Sequence, residues 1–109
     1  MTPKKLKFHR LDDHHAVVLL RGDHDSYSAE QVARRVRRFV DEGCDVEVDL
    51  REATFIDSTT VAALIDAHRY ASENDRRLSV LIGESTGWAV QRLFELTRLD
   101  SLLTVLSDR

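Results

Sequence analysis

The feature that most constrains the fold of this chain is a hydrophobic period that switches between two and three or four residues along it. One segment alternates apolar with acidic residues, as a strand with one covered and one wetter face does; its apolar members are Cys44, Val46, Val48 and Leu50. The next segment starts at Ser58 and has a single helical stripe, made of Val61, Leu64, Ile65 and His68. Strands separated by single helices become parallel neighbours joined by right-handed crossovers, so the pattern predicts an α/β fold.

The same periodicities assign the rest of the chain. Strands are predicted at residues 5–11 and 16–20, around a hairpin turn at 12–15, and at residues 78–82 and 103–106. After a loop at 23–27, a first helix has Ser28 as its N-cap and stops at Gly43; its stripe is Ala29, Val32, Ala33, Val36, Phe39 and Val40. Residues 51–57 form a connection, and residues 74–75 close the second helix. A third helix is predicted after residues 83–86, with four side chains that face the core: Val90, Leu93, Phe94 and Leu96.

Length and composition restrict the class of protein. A chain of 109 residues supports a single domain, which we expect to span residues 1–109 as a four- or five-stranded mixed sheet with helices mainly on one face. The formal charge of -3, from 16 basic and 19 acidic residues, argues against sequence-independent binding to nucleic acid. Cys44 is the only cysteine, which excludes an internal disulfide. No apolar run approaches the roughly 18 residues of a membrane span, so we expect a cytoplasmic protein without membrane insertion.

Motifs for catalysis or nucleotide binding are absent from the sequence, including GxxxxGK[ST], GxGxxG, HExxH and GxSxG. The run DDHH at residues 12–15 offers metal-ligand residue types, but four adjacent residues in a turn point in different directions, which favours a solvated turn. Two arginine pairs, at 34–35 and 37–38, lie off the apolar stripe of the first helix and are either a solvated face or a docking patch. We therefore predict a protein with no catalytic activity, no cofactor and no metal.

A carboxylate and three hydroxyls stand where an apolar connection turns into the second helix: Asp57, Ser58, Thr59 and Thr60. Asp57 or Ser58 can cap the free N–H groups of the first turn, which is worth about 1 kcal/mol and explains the residue types by itself. The same helix end would also stabilise a phosphoryl group through its free N–H groups and the helix dipole. Capping and a phosphorylation switch thus both remain possible from the residues alone.

Three segments in order resemble the STAS domain family, whose prototype is the anti-sigma factor antagonist. The run FIDSTTV at 55–61, after VDL at 48–50, resembles the family's Phe-(Met/Ile)-Asp-Ser-(Ser/Thr)-Gly-(Leu/Val). LRGDHD at 20–25 resembles apolar-x-Gly-Glu-Leu-Asp, and VQRLFELTRL at 90–99 resembles Val-x-Arg-Leu-(Phe/Leu)-x-(Leu/Met)-(Thr/Ser)-Gly-Leu. Three positions depart from these patterns: Thr60 and Arg98 replace glycines, and His24 replaces an apolar residue.

The resemblance implies a partner-switching protein. Its phosphoacceptor would be Ser58, modified by a serine kinase that is also the anti-sigma factor and restored by a phosphatase. The unphosphorylated form would bind the kinase and release the sigma factor. Partner contact would involve five residues around the serine: Asp25, Asp57, Thr59, Thr60 and Val61. The alternative is a constitutive STAS interaction module without serine phosphorylation, such as a subunit of a lipid transport complex; a small-molecule or nucleotide binder is the third reading.

Overall fold

Seven strands and three helices follow one another along residues 5–108, the part of the chain described by this computed structural model. The strands are β1 (Leu6–Arg10), β2 (His15–Leu20), β3 (Gly22–His24), β4 (Asp45–Asp49), β5 (Ala53–Ile56), β6 (Leu78–Gly83) and β7 (Thr104–Asp108). The helices are α1 (Ser26–Asp41), α2 (Ser58–Glu73) and α3 (Trp88–Thr97), and a 3₁₀ turn (Leu99–Ser101) follows α3. Residues 1–4 and 109 of the predicted domain lie outside the described residues.

The main sheet has five strands in the order β1-β2-β4-β6-β7. β1 pairs with β2 in antiparallel register, with Phe8 opposite Val18, and the other three pairs are parallel. The carboxylate of Asp12 holds the hairpin between them by accepting from His14 N–H at 2.7 Å and by contacting His15 Nδ1 at 2.9 Å. The predicted hairpin, parallel crossovers and mixed sheet are therefore confirmed.

One face of the sheet carries the core. Val18, Val46 and Val48 are buried and lie on the side where α1 and α2 pack, whereas Val17 and Glu47 on the opposite side are only half-buried. The predicted placement of the helices mainly on one face is confirmed. The period-two pattern of β4 revealed this asymmetry because alternate side chains point to opposite faces of a sheet.

The arginine pairs of α1 are engaged with neighbouring side chains. Arg35 lies 4.5 Å above the ring of Phe8 on β1, and Arg37 lies 4.6 Å above the ring of Tyr70 on α2, whose hydroxyl donates to Asp41. Arg34 forms an ion pair with Glu30 within the helix, and Arg38 forms one with Glu42, the C-cap of the helix. The contacts of Arg35 and Arg37 tie α1 to the sheet edge and to α2, which favours a structural role for these two arginines.

Three details of the predicted elements are wrong. The loop at 23–27 and the connection at 51–57 contain the short parallel strands β3 and β5, which are too brief to show a period. Asp25, not Ser28, caps α1, because the carboxylate of Asp25 accepts from the N–H groups of Tyr27 and Ser28. Leu96 is 69% exposed, since it lies two residues from buried Phe94 and thus on the opposite side of α3.

Candidate functional site

The two-stranded sheet brings the starts of α1 and α2 to one edge of the molecule. β3 and β5 run parallel with His24 opposite Ile56, and each strand is followed at once by an aspartate N-cap and a serine. The N–H of Asp57 donates to the carbonyl oxygen of His24 at 3.2 Å, which extends the pairing to the caps. The carboxylates of Asp25 and Asp57, predicted from the resemblance to flank one surface, therefore lie at adjacent helix ends.

Asp57 supplies the N-cap of α2. Its Oδ1 accepts from the N–H of Thr60 at 2.9 Å, from the hydroxyl of Thr59 at 2.6 Å and from the hydroxyl of Thr60 at 3.0 Å. The Thr59 hydroxyl, followed by the Thr60 N–H, lowers the pKa of Asp57 below its usual value. The carboxylate is therefore ionised at neutral pH and does the capping without help from Ser58.

Ser58 is the first residue of α2, and its side chain is exposed. Among residues 5–108, its hydroxyl makes no hydrogen bond to the protein. The hydroxyl lies at the positive end of a helix of 16 residues, next to first-turn N–H groups. The side chain predicted as the phosphoacceptor is thus accessible and is not needed to hold the helix.

Thr60 lies in the interior, beneath the caps of α1 and α2. Its side chain is fully buried, and the hydroxyl that donates to Asp57 also lies 3.5 Å from the carbonyl oxygen of Asp25. Thr60 thus links the two caps from inside, and the expected contact of Thr60 with a partner stays a prediction. Asp25 and Thr59 are exposed and Val61 is half-buried, and their contact with a partner stays a prediction.

His24 is a buried ionisable side chain between the caps. It is 1% exposed, and its Nε2 lies 2.8 Å from the carbonyl oxygen of Arg21, which makes Nε2 the protonated nitrogen. Nδ1 is buried with no hydrogen-bond partner in the described part of the chain. Burial is the main cause that lowers the pKa of His24, so the ring is neutral at physiological pH.

Gly87 fixes α3 against β5, a contact that the sequence did not reveal. Its N–H donates to the carbonyl oxygen of Ala53 at 2.7 Å, and a Cβ at this position would lie 2.6 Å from Thr54 Cα. Trp88, the first residue of α3, therefore stands beside the strand that leads to Ser58. A glycine directly before the start of a helix is the one sequence signal that could have pointed to this close approach.

The described residues contain neither a metal-binding cluster nor a membrane-spanning helix. No group of three or more His, Cys, Asp or Glu side chains within 5–108 is arranged to hold a metal ion. In the same span, no helix combines the length and the apolar character needed to cross a membrane.

Comparison with known proteins identifies a family and relatives by sequence. The model of the family described as "Mlab, STAS domain" matches residues 8–105. Proteins named anti-sigma-B factor antagonist from Listeria monocytogenes and Listeria innocua are each 30% identical over 95 residues, covering 86% of this chain and 81% of theirs.

Solved structures share the fold. The anti-sigma factor antagonist SpoIIAA in its unphosphorylated form superposes with a TM-score of 0.79 at 16% identity, covering 95% of this chain and 88% of SpoIIAA. An anti-sigma factor antagonist from Mycobacterium paratuberculosis gives a TM-score of 0.74 at 20% identity, covering 92% and 82%. With a family match over almost its whole length, this chain belongs to the STAS domain family.

Proposed function

We propose that this protein is an anti-sigma factor antagonist whose binding is switched by phosphorylation of Ser58. The unmodified protein binds an anti-sigma factor serine kinase in the cytoplasm and thereby releases a sigma factor. The kinase phosphorylates Ser58, the complex dissociates, and a phosphatase restores the binding form. The domain acts by binding and not by catalysis. The names of the Listeria relatives support this assignment, as does the geometry of the serine.

The observation that carries the proposal is that Asp57 caps α2 while the neighbouring Ser58 hydroxyl takes no part in the cap. Asp57 accepts all the capping hydrogen bonds of α2, while the exposed Ser58 hydroxyl has no partner among the described residues. A phosphoryl group on Ser58 would therefore break no hydrogen bond of the fold. The helix dipole and the first-turn N–H groups would stabilise its charge.

The charge added by the phosphate would weaken binding of the partner and would leave the domain folded. A phosphoserine carries about -1.5 to -2 charge at neutral pH. It would stand next to the ionised carboxylate of Asp57 and near that of Asp25, on a surface that fits the kinase when the serine is bare. A partner surface that buries the bare hydroxyl would have to desolvate this dianion, which is costly without a matching cation.

Incubation with ATP and the purified anti-sigma factor kinase of the same organism tests the acceptor. We expect one phosphate per chain by intact-mass spectrometry and none on the Ser58→Ala variant. The matched control is Ser26→Ala, because Ser26 follows the Asp25 cap of α1 just as Ser58 follows Asp57. Phosphate that persists on Ser58→Ala, or that disappears with Ser26→Ala, would overturn the assignment.

A constitutive STAS module, such as a lipid transport subunit, predicts a different response to Ser58→Asp. The aspartate is favourable at the first position of a helix, so the domain stays folded. Switching requires this variant to lose several-fold or more in affinity for the kinase. A fixed interface with Ser58 at its periphery would bind the variant and the parent protein equally.

A further inference from the structure

Three exposed aromatic side chains belong to the elements that meet near the edge that carries Ser58. Tyr27 is 75% exposed on the first turn of α1, Trp88 is 77% exposed at the start of α3, and Phe55 is 49% exposed on β5. We call Tyr27, Phe55 and Trp88 the aromatic rim. Among the described residues, neither the Trp88 indole N–H nor the Tyr27 hydroxyl makes a hydrogen bond. The fold does not use these side chains, although each could bury a large apolar area.

Contacts between their neighbours join the segments that carry these three side chains. Phe55 is the strand partner of Asp23, and the hydroxyl of Thr54 donates to Asp23 Oδ1 at 2.6 Å. The same Thr54 backbone packs against Gly87, the residue before Trp88. On the other side of Asp23 the chain continues through the Asp25 cap into Tyr27. The rim therefore runs across β3, β5 and the starts of α1 and α3.

Three carboxylates close to the aromatic rim form no ion pair with a basic side chain of the described residues. Asp23, Asp25 and Asp57 form no ion pair with any described basic side chain, whereas Asp49 and Glu52 nearby are paired with Arg51 and Arg21. These three carboxylates thus stand beside the aromatic side chains, with Lys5 lying against Gly22 at the start of β3. The complement of this surface is an apolar pocket bordered by arginine or lysine, since aromatic anchors in pockets dominate interface energetics and opposite charges steer association.

We infer that the aromatic rim is the docking surface for the serine kinase and that Trp88 is its main anchor. This inference rests on the proposed function and adds the chemistry of the partner: a pocket for an indole ring, with cationic side chains facing Asp23 and Asp25.

The test measures the affinity of each variant for the purified anti-sigma factor kinase of the same organism, by isothermal titration calorimetry. Trp88→Ala should raise Kd by about tenfold or more, and Tyr27→Ala should raise it less. The matched control is Leu96→Ala, which removes another exposed apolar side chain from α3, 69% exposed and outside the rim; its Kd should stay within about twofold. Unchanged thermal midpoints show that the variants are folded.

Two further measurements distinguish the effect of docking from that of phosphoryl transfer and from that of charge: the kinetics of phosphorylation and the salt dependence of Kd. Trp88→Ala should raise the KM for phosphorylation of Ser58 and leave kcat unchanged, because an anchor acts before the transfer step. Asp25→Asn keeps the cap but removes the charge, so it should reduce the dependence of Kd on salt.

The outcomes distinguish this inference from the proposed function. If the parent protein binds the kinase and Trp88→Ala binds with the same Kd as Leu96→Ala, the rim is not the docking surface and the switch at Ser58 still stands. If the parent protein neither binds nor accepts phosphate, the proposed function fails and this inference fails with it.

Discussion

Thr60 donates its hydroxyl hydrogen to Asp57 from inside the domain, with 3.0 Å between Oγ1 and Oδ1. The same carboxylate oxygen caps the helix that begins with Ser58. A residue that differs from the family glycine thus strengthens the cap from a buried position. The departure at Thr60 is therefore compatible with a partner that approaches the bare serine.

Replacing Thr60 with valine should measure this internal link. Thr60→Val keeps the shape but leaves Asp57 without one donor, so we expect the free energy of unfolding to fall by about 1 kcal/mol. Thr59→Val is the matched control, because the Thr59 hydroxyl also donates to Asp57 but is exposed, and water can replace it. Urea unfolding of both variants is the measurement, and equal losses would contradict the internal role of Thr60.

His24 should make the stability of the domain depend on pH. Its pKa is lowered in the folded protein from a reference value of 6.5, so the unfolded chain binds the proton more tightly. The contribution of neutral His24 is complete above pH 6.5 and is lost as the pH falls below that value toward the folded pKa. We therefore expect the urea midpoint to fall less between about pH 8 and about pH 5 in the His24→Leu variant than in the parent protein. An equal loss in the variant would contradict it.

The contact of Gly87 with β5 should not tolerate a side chain. A Cβ would lie 2.6 Å from Thr54 Cα and 2.7 Å from Thr54 O, and both atoms belong to the backbone. We expect Gly87→Ala to lower the free energy of unfolding by about 1 to 3 kcal/mol. Ala89→Ser, on the exposed side of α3, is the control and should change it little. A fully stable Gly87→Ala variant would show that α3 can move away from β5 without cost.

Arg98 ends α3 in a left-handed conformation, with φ 53° and ψ 43°, where the family has glycine. Arg98→Gly should therefore raise the free energy of unfolding by about 1 kcal/mol through relief of backbone strain. Asp75→Gly gives a comparison at the other described non-glycine residue with positive φ, 58°, and should gain less because aspartate tolerates this region better. Thermal unfolding ranks the two, and a less stable Arg98→Gly variant would contradict the strain.

Long periodic segments made the fold predictable. β2, β4, α1 and α2 were recognisable because their buried side chains repeat at the spacing of a strand or a helix. β3 and β5 have only 3 and 4 residues, too few for a repeat, and their pairing joins distant parts of the chain. The sequence therefore predicted the scaffold but not the small sheet that brings the caps together.

The site was predictable only where the chemistry is local. Asp57 and Ser58 were identified because capping depends on neighbours along the chain. Thr60 is buried where the starts of α1 and α2 meet, and α3 approaches β5 through the contact between Gly87 and Thr54, so neither feature followed from the local pattern. Burial and long-range contacts are properties of the packed molecule.

The central claim is that phosphate on Ser58 decides whether the kinase binds. The most direct test compares the Kd of the kinase for the unmodified protein and for the protein carrying phosphoserine at position 58, prepared to full occupancy. The switch predicts that phosphorylation raises Kd by at least about tenfold, equivalent to about 1.4 kcal/mol, with the thermal midpoint of the domain unchanged. Equal affinity of the two forms would contradict the account.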